Sequence, residues 1–184
     1  AGLKCLGDWD TIYEGLSTLP EPARTSWFAF DHFYSNNSFE EALKIIFDSP
    51  VRNLLDVGGN TGKWALQCVG YDPNVEVTIL DLPQQIDLMR KETAGKPGAE
   101  RIHGCGGNLL DPSTKFPTDK EYDVIWMSQF LDCFSEEEIL SILRRAAEVL
   151  RPGARLCIME LLPANRLVLI QGDDHRSFSY HIPV

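Results

Sequence analysis

The stretch "NLLDVGGNTGKWALQ", residues 53–67, constrains this chain more than any other. Leu54, Leu55 and Val57 read as a buried strand, residues 58–62 as a turn of small residues, and Lys63 onward as a helix. Two adjacent glycines, an Asn and a third glycine between strand and helix let a backbone come close to something else. The same alternation continues downstream. "VEVTILDL" reads as a strand, "PQQIDLMRKETAG" as a helix, "AERIHGCGG" as a short strand, and "YDVIWMSQ" as another. "SEEEILSILRRAAEVL" then reads as a helix, opened by Ser135 with Glu138 as a capping box and stopped by "RPGA", before the strand "RLCIMELL". Strands alternating with helices predict parallel βαβ units: an α/β fold whose mostly parallel sheet carries helices on both faces. Ligands of such sheets bind beyond the carboxyl ends of the strands, near the switch in strand order. The glycine turn follows the first strand of that alternation.

The flanks read differently. Residues 1–37 are aromatic-rich and broken by "LPEPA", which predicts short helices near 8–17 and 23–34. "SFEEALKIIFDSP" predicts a new helix, with Ser38 and Glu41 as its capping box and Pro50 as its stop. After residue 163, "NRLVLIQGDDHRSFSYHIPV" alternates apolar and polar residues around "GDD", which predicts a C-terminal β-hairpin. The organisation expected is a lid-like helical segment over 1–37, a nucleotide-fold domain over 38–163 and a hairpin over 164–184.

Composition removes several function classes. At 184 residues the chain suffices for one α/β core, and its net charge of −10, without a Lys/Arg stripe, argues against nucleic acid or an anionic membrane as partner. No apolar run is long enough to span a bilayer, and "AGLKCLGDWD" lacks the features of a secretory signal, so a cytoplasmic location is expected. Five scattered cysteines without a C-x-x-C pair read as reduced thiols rather than disulfides or a zinc site. "DDH" at 173–175 reads as a turn, and no metal site is expected.

The spacing within the glycine turn narrows the ligand. A nicotinamide fingerprint wants glycine at the first, third and sixth positions; counted from Gly58 these are Gly58, Asn60 and Lys63, so two fail. The pattern acid-x-Gly-x-Gly-x-Gly fits better, through Asp56, Gly58 and Gly62, with Asn60 in the middle slot as a residue that tolerates a left-handed backbone. The next strand ends in Asp81, whose carboxylate can accept hydrogen bonds from both hydroxyls of a ribose. Together these features predict a ribose-containing cofactor, with an open crevice at the turn and Asp81 facing it.

"LLDVGGNTGKWA", "TILDLPQ" and "YDVIWMSQFLDCFSEEEILSILRRAAEVLRPGARLCIMELL" together resemble the S-adenosylmethionine-dependent O-methyltransferases of the small-molecule type, relatives of plant caffeate and bacterial polyketide-tailoring enzymes. The resemblance runs from about Phe30 to Pro163 and implies a Rossmann-like class I methyltransferase fold of seven strands. It implies S-adenosyl-L-methionine held by Asp56, Gly58, Gly59 and Gly62 of the turn, and by Asp81 and Leu82 at the ribose. Asn108 stands where relatives have an adenine-facing Asp, Leu109 where they have an apolar adenine neighbour, and Ser128 where they often have Lys. Met127 and Trp126 are expected around the cofactor or in the strand's core. Tyr34 falls where relatives place a Met beside the reactive methyl.

The resemblance also supplies the candidates for catalysis. Relatives carry a His as base in a segment like "LHDWSDEE"; here the stretch is "LDCFSEEE", with Asp132 in the His slot. An ordinary Asp, with a pKa near ~4 against ~6.5 for His, is the weaker base unless burial raises it. Glu160 matches an acid that supports the base, and His32 is the one histidine expected near the pocket. The function implied is O-methylation of a small aromatic hydroxyl compound. Its alternatives are a cofactor-binding module with little or no turnover and, further off, a nicotinamide-dependent oxidoreductase. Relatives begin with a winged-helix dimerisation domain that is essentially absent here, so a homodimer stays an open alternative.

Overall fold

The computed structural model describes residues 7, 9, 12–15, 18–160, 166–171 and 177–181, with the side chains of 12, 14, 24, 28–37 and the last two of these segments outside the description. A four-residue helical turn, α1 (Ile12–Gly15), precedes the long helix α2 (Glu21–Ile46). Then come β1 (Asn53–Val57), α3 (Lys63–Tyr71), β2 (Glu76–Asp81), α4 (Pro83–Thr93) and β3 (Ile102–Gly106). The chain continues through β4 (Val124–Ser128), α5 (Glu136–Glu148), β5 (Arg155–Glu160), β6 (Arg166–Gln171) and β7 (Ser177–His181).

The sheet has the order β3-β2-β1-β4-β5-β6-β7. β1 to β5 are parallel, β6 pairs antiparallel with β5, and β7 antiparallel with β6. The order reverses beside β1, which lies between β2 and β4, so the turn after β1 opens at the switch point. Period-2 alternation divides the core. Leu54, Val77, Ile79, Val124 and Trp126 face α2, α3 and α4, whereas Leu55, Leu80, Ile125 and Met127 face α5. Side chains buried this fully contribute roughly 1.5–3 kcal/mol each.

Local chemistry sets most boundaries. Ser135 caps α5 by accepting from the Glu138 N–H while Glu138 accepts from the Ser135 N–H at 2.7 Å, the box expected from sequence. Pro83 sits in the first turn of α4, where its missing N–H costs nothing. The expected box at Ser38 is not there. α2 runs unbroken from Glu21 to Ile46, across the boundary read between 37 and 38, and Ser38 is a buried mid-helix residue. Asn36, Asn37 and Ser38 look like punctuation, but Phe39, packed on Trp64 with ring centroids 5.0 Å apart, holds the next turn against the core. Tertiary packing overrides the weak local preference.

Candidate functional site

The turn after β1 is built from close approaches. Gly58 has a φ of +74°, and its N–H donates to the Leu80 carbonyl at 2.9 Å. A Cβ there would stand 2.3 Å from the Phe130 ring. At Gly59 a Cβ would stand 2.5 Å from Asp56 Oδ2. Asn60 takes the left-handed backbone, φ +51°, and its side-chain oxygen accepts from Gln85 at 3.2 Å. Gly62, also left-handed, starts α3 against Met89 and Thr93.

Two buried carboxyl groups flank this turn. Asp81 closes β2 with one oxygen accepting the Asn60 N–H at 3.0 Å and the other the Leu82 N–H at 2.7 Å. Its carboxylate therefore turns toward the glycine turn. Burial pushes its pKa up to about 6, against the lowering effect of those two backbone bonds. Asp56, on β1, is 2% exposed, and its Oδ2 has no hydrogen-bond partner. Burial first, and the charge of Asp81 second, push the Asp56 pKa up to about 8.

Asp56, Gly58, Gly59, Trp64, Trp126 and Ser128 line a small crevice, open to solvent, on the α3 side of the turn. Its apolar wall is the Trp64–Trp126 stack, centroids 4.6 Å apart at 22°, and neither indole N–H has a partner. The opposite side differs from the open crevice expected. Asp81 is 4% exposed, and Tyr13 from α1 packs into the cluster that holds Leu82, Leu109 and Phe130.

The loop after β3 carries Asn108, whose side-chain oxygen accepts the Leu110 N–H at 3.0 Å, and Leu109, which is buried. Arg145 of α5 shapes this loop: its guanidinium donates to the carbonyls of Leu109 (2.6 Å), Thr114 (2.8 Å) and Asp111 (3.2 Å). Past β4, Gln129 takes a left-handed backbone, φ +47°, and its N–H donates to the Met159 carbonyl. Asp132 is exposed on the short helical turn Leu131–Cys133, where it accepts from the Cys133 thiol at 3.6 Å. Glu160 Oε1 accepts the N–H groups of Phe130 (3.0 Å) and Leu131 (2.8 Å), anchoring the chain that leads to Asp132. The side chains of Tyr34 and His32 lie outside the described residues, as do Cys5 and residues 173–175.

The structure thus gathers Asp56, Gly58, Gly59, Asp81 and Ser128 at one turn, and adds Tyr13, Trp64, Gln129 and Arg145, which sequence reasoning missed. Among the described residues no group of acids, histidines and cysteines could hold a metal ion, and no helix is long and apolar enough to cross a membrane. Cys68, Cys105, Cys133 and Cys157 form no disulfide, and the first and last are buried.

Comparison with known proteins agrees with this fold. The profile of the O-methyltransferase domain family matches residues 34–170. Norreticuline-7-O-methyltransferase of Papaver somniferum is 28% identical over 160 residues, covering 85% of this chain and 40% of that protein. Aclacinomycin 10-hydroxylase RdmB of Streptomyces purpurascens is 30% identical over 112 residues, covering 61% and 29%. The apo structure of the S-adenosylmethionine-dependent methyltransferase SibL superposes with a TM-score of 0.66 at 25% identity, over 86% of this chain and 46% of that one. The chain spans less than half the length of each of these proteins.

Proposed function

Since the chain belongs to the O-methyltransferase domain family and carries its Rossmann-like fold, we propose that it binds S-adenosyl-L-methionine at the turn after β1 and methylates a hydroxyl of a small aromatic molecule. The observation that carries the reading is the orphaned oxygen of Asp56, buried at the crevice beside a glycine whose Cβ would strike it. A buried carboxyl without a partner suits a ligand that brings a cation, and the ammonium of the methionine part is one. When bound, the cofactor supplies a methyl group on a sulfonium, which needs no further activation to leave.

The residues then divide the remaining work. Asp56, ionised against the ammonium, anchors one end. Asp81 grips the other: each of its oxygens accepts one backbone N–H and keeps a second lone pair for a ribose hydroxyl. Asn108 and Leu109 bound the adenine side, and Ser128 the crevice floor. Asp132 receives the acceptor's proton, while Glu160, through the backbone of Phe130 and Leu131, positions the turn that carries it. A second reading, binding without turnover, draws on that same Asp132, an exposed carboxylate in a slot where the resembling enzymes have His. The nicotinamide alternative has no support in the comparisons.

A methyl-transfer assay with labelled cofactor and a panel of phenols separates these. Methylated product supports the first reading, S-adenosylhomocysteine binding without product favours the second, and tighter binding of NAD than of S-adenosylhomocysteine would overturn both. We further infer a cytoplasmic setting, which cysteines outside any disulfide suit, and a small-molecule acceptor. Light scattering tests whether the chain pairs with a second copy.

A further inference from the structure

We propose that Tyr13 belongs to the cofactor site as an internal occupant, its ring filling the adenosyl side of the cleft and leaving when the cofactor binds. The inference rests on the cofactor reading above and concerns how access to that site is controlled.

Tyr13 sits on the four-residue turn α1, yet it is only 2% exposed. It meets Phe134 with centroids 4.9 Å apart at 55°, and the Phe130 ring edge-on at 5.8 Å and 79°. Leu82 and Leu109 belong to the same buried cluster. These are the side chains an adenine ring would need if Asp81 held its sugar: Leu82 follows that acid directly, and Leu109 lies on the loop after the neighbouring strand. A flat ring with a polar edge already stands among them. Its hydroxyl lies within reach of the Asp81 charge, which, after burial, raises the phenol's pKa.

Two observations point to departure rather than to a fixed wall. The Tyr13 hydroxyl is buried without a hydrogen-bond partner, the Leu109 backbone being near but outside bonding geometry. Water would satisfy that hydroxyl once the ring left, whereas a ligand stacked over it would not. The arm also carries its own packing. The Trp9 indole lies over Gly7 and Gly15, where a Cβ would come within 2.3 Å and 2.4 Å of its ring. Departure of the ring would break its own contacts in the core cluster, while the packing of Trp9 on the two glycines stays within the arm.

The sign of one substitution decides the matter. S-adenosylhomocysteine affinity is measured by calorimetry for the unchanged chain, Tyr13→Ala and Tyr13→Phe, together with hydrogen exchange over residues 7–18 with and without the ligand. An occupant that must leave lowers the apparent affinity by the fraction of open molecules, so Tyr13→Ala should bind at least about five-fold more tightly. Tyr13→Phe, which keeps the ring and sheds the unpaired hydroxyl, should bind no more tightly than the unchanged chain. Exchange at residues 12–15 should speed up when ligand is added. Weaker binding by Tyr13→Ala, or slower exchange with ligand, would make Tyr13 a wall of the site and overturn the proposal. Unchanged affinity with unchanged exchange would overturn it too. If Tyr13→Ala fails to fold, exchange in the unchanged chain decides. Absence of binding by the unchanged chain would instead overturn the cofactor reading, and the proposal with it.

Discussion

Asp56→Asn tests the electrostatics of the site most sharply. In the unfolded chain Asp56 loses its proton near pH 4; in the folded chain burial and the Asp81 charge hold the proton until about pH 8. Between those values the folded state binds the extra proton, so the Asp56 contribution to stability falls as pH rises from about 4 to about 8. Asp81 behaves in the same direction, but its window closes near its folded pKa of about 6. The interval from pH 6 to pH 8 therefore isolates Asp56 from its neighbour. One proton is worth about 1.4 kcal/mol per pH unit, so the unchanged chain should lose roughly 2 kcal/mol across that interval that Asp56→Asn does not lose. Urea unfolding of both proteins at pH 6, 7 and 8 reads the difference directly. If Asp56 meets the cofactor's ammonium, the ligand lowers its pKa, and affinity for S-adenosylhomocysteine should rise with pH toward 8 in the unchanged chain and stay level in the variant. Parallel stability profiles for the two proteins would refute the assignment of a buried, unpartnered acid at this position.

Other expectations follow from the same geometry. Asp81→Ala should weaken S-adenosylhomocysteine binding by roughly 1–3 kcal/mol in calorimetry, since it removes charged acceptors for the sugar. Unchanged affinity would take Asp81 out of the site. Gly58→Ala should destabilise the chain by about 1–3 kcal/mol in thermal or urea unfolding, because the new Cβ meets the Phe130 ring at 2.3 Å on a left-handed backbone. Asp132→Asn should lower methyl transfer while cofactor affinity holds, and equal turnover would reduce Asp132 to a residue of the turn before α5.

The parts of the fold that rest on local chemistry were legible in the sequence. The Ser135–Glu138 box opens α5 as read, and the acids and glycines of β1 and β2 converge because parallel strands carry their carboxyl ends to one edge of the sheet. Asn60 could be read into the left-handed slot because Asn is among the residues that tolerate it. The Ser38 box misled for a physical reason: a capping signal is worth about 1 kcal/mol, less than the burial of Phe39 and Ala42 on the far side of it. Tyr13 and Arg145 had no signal at all. Tyr13 reaches Phe130 and Phe134, residues more than a hundred positions away, and Arg145 meets carbonyls more than thirty positions back. Neither pairing has a spacing rule. Gln129 was likewise hidden, since nothing in "MSQFL" marks a non-glycine residue for a positive φ.

The account turns on the claim that an adenosyl cofactor lies across β1 and β2 between two buried acids. A crystal structure of the chain grown with saturating S-adenosylhomocysteine measures that claim directly. The account predicts both ribose hydroxyls within hydrogen-bond distance of the Asp81 carboxylate and the ligand's ammonium on Asp56 Oδ2. Ligand density elsewhere on the sheet, or an Asp81 still bonded to Asn60 and Leu82 alone with the ligand present, would contradict it.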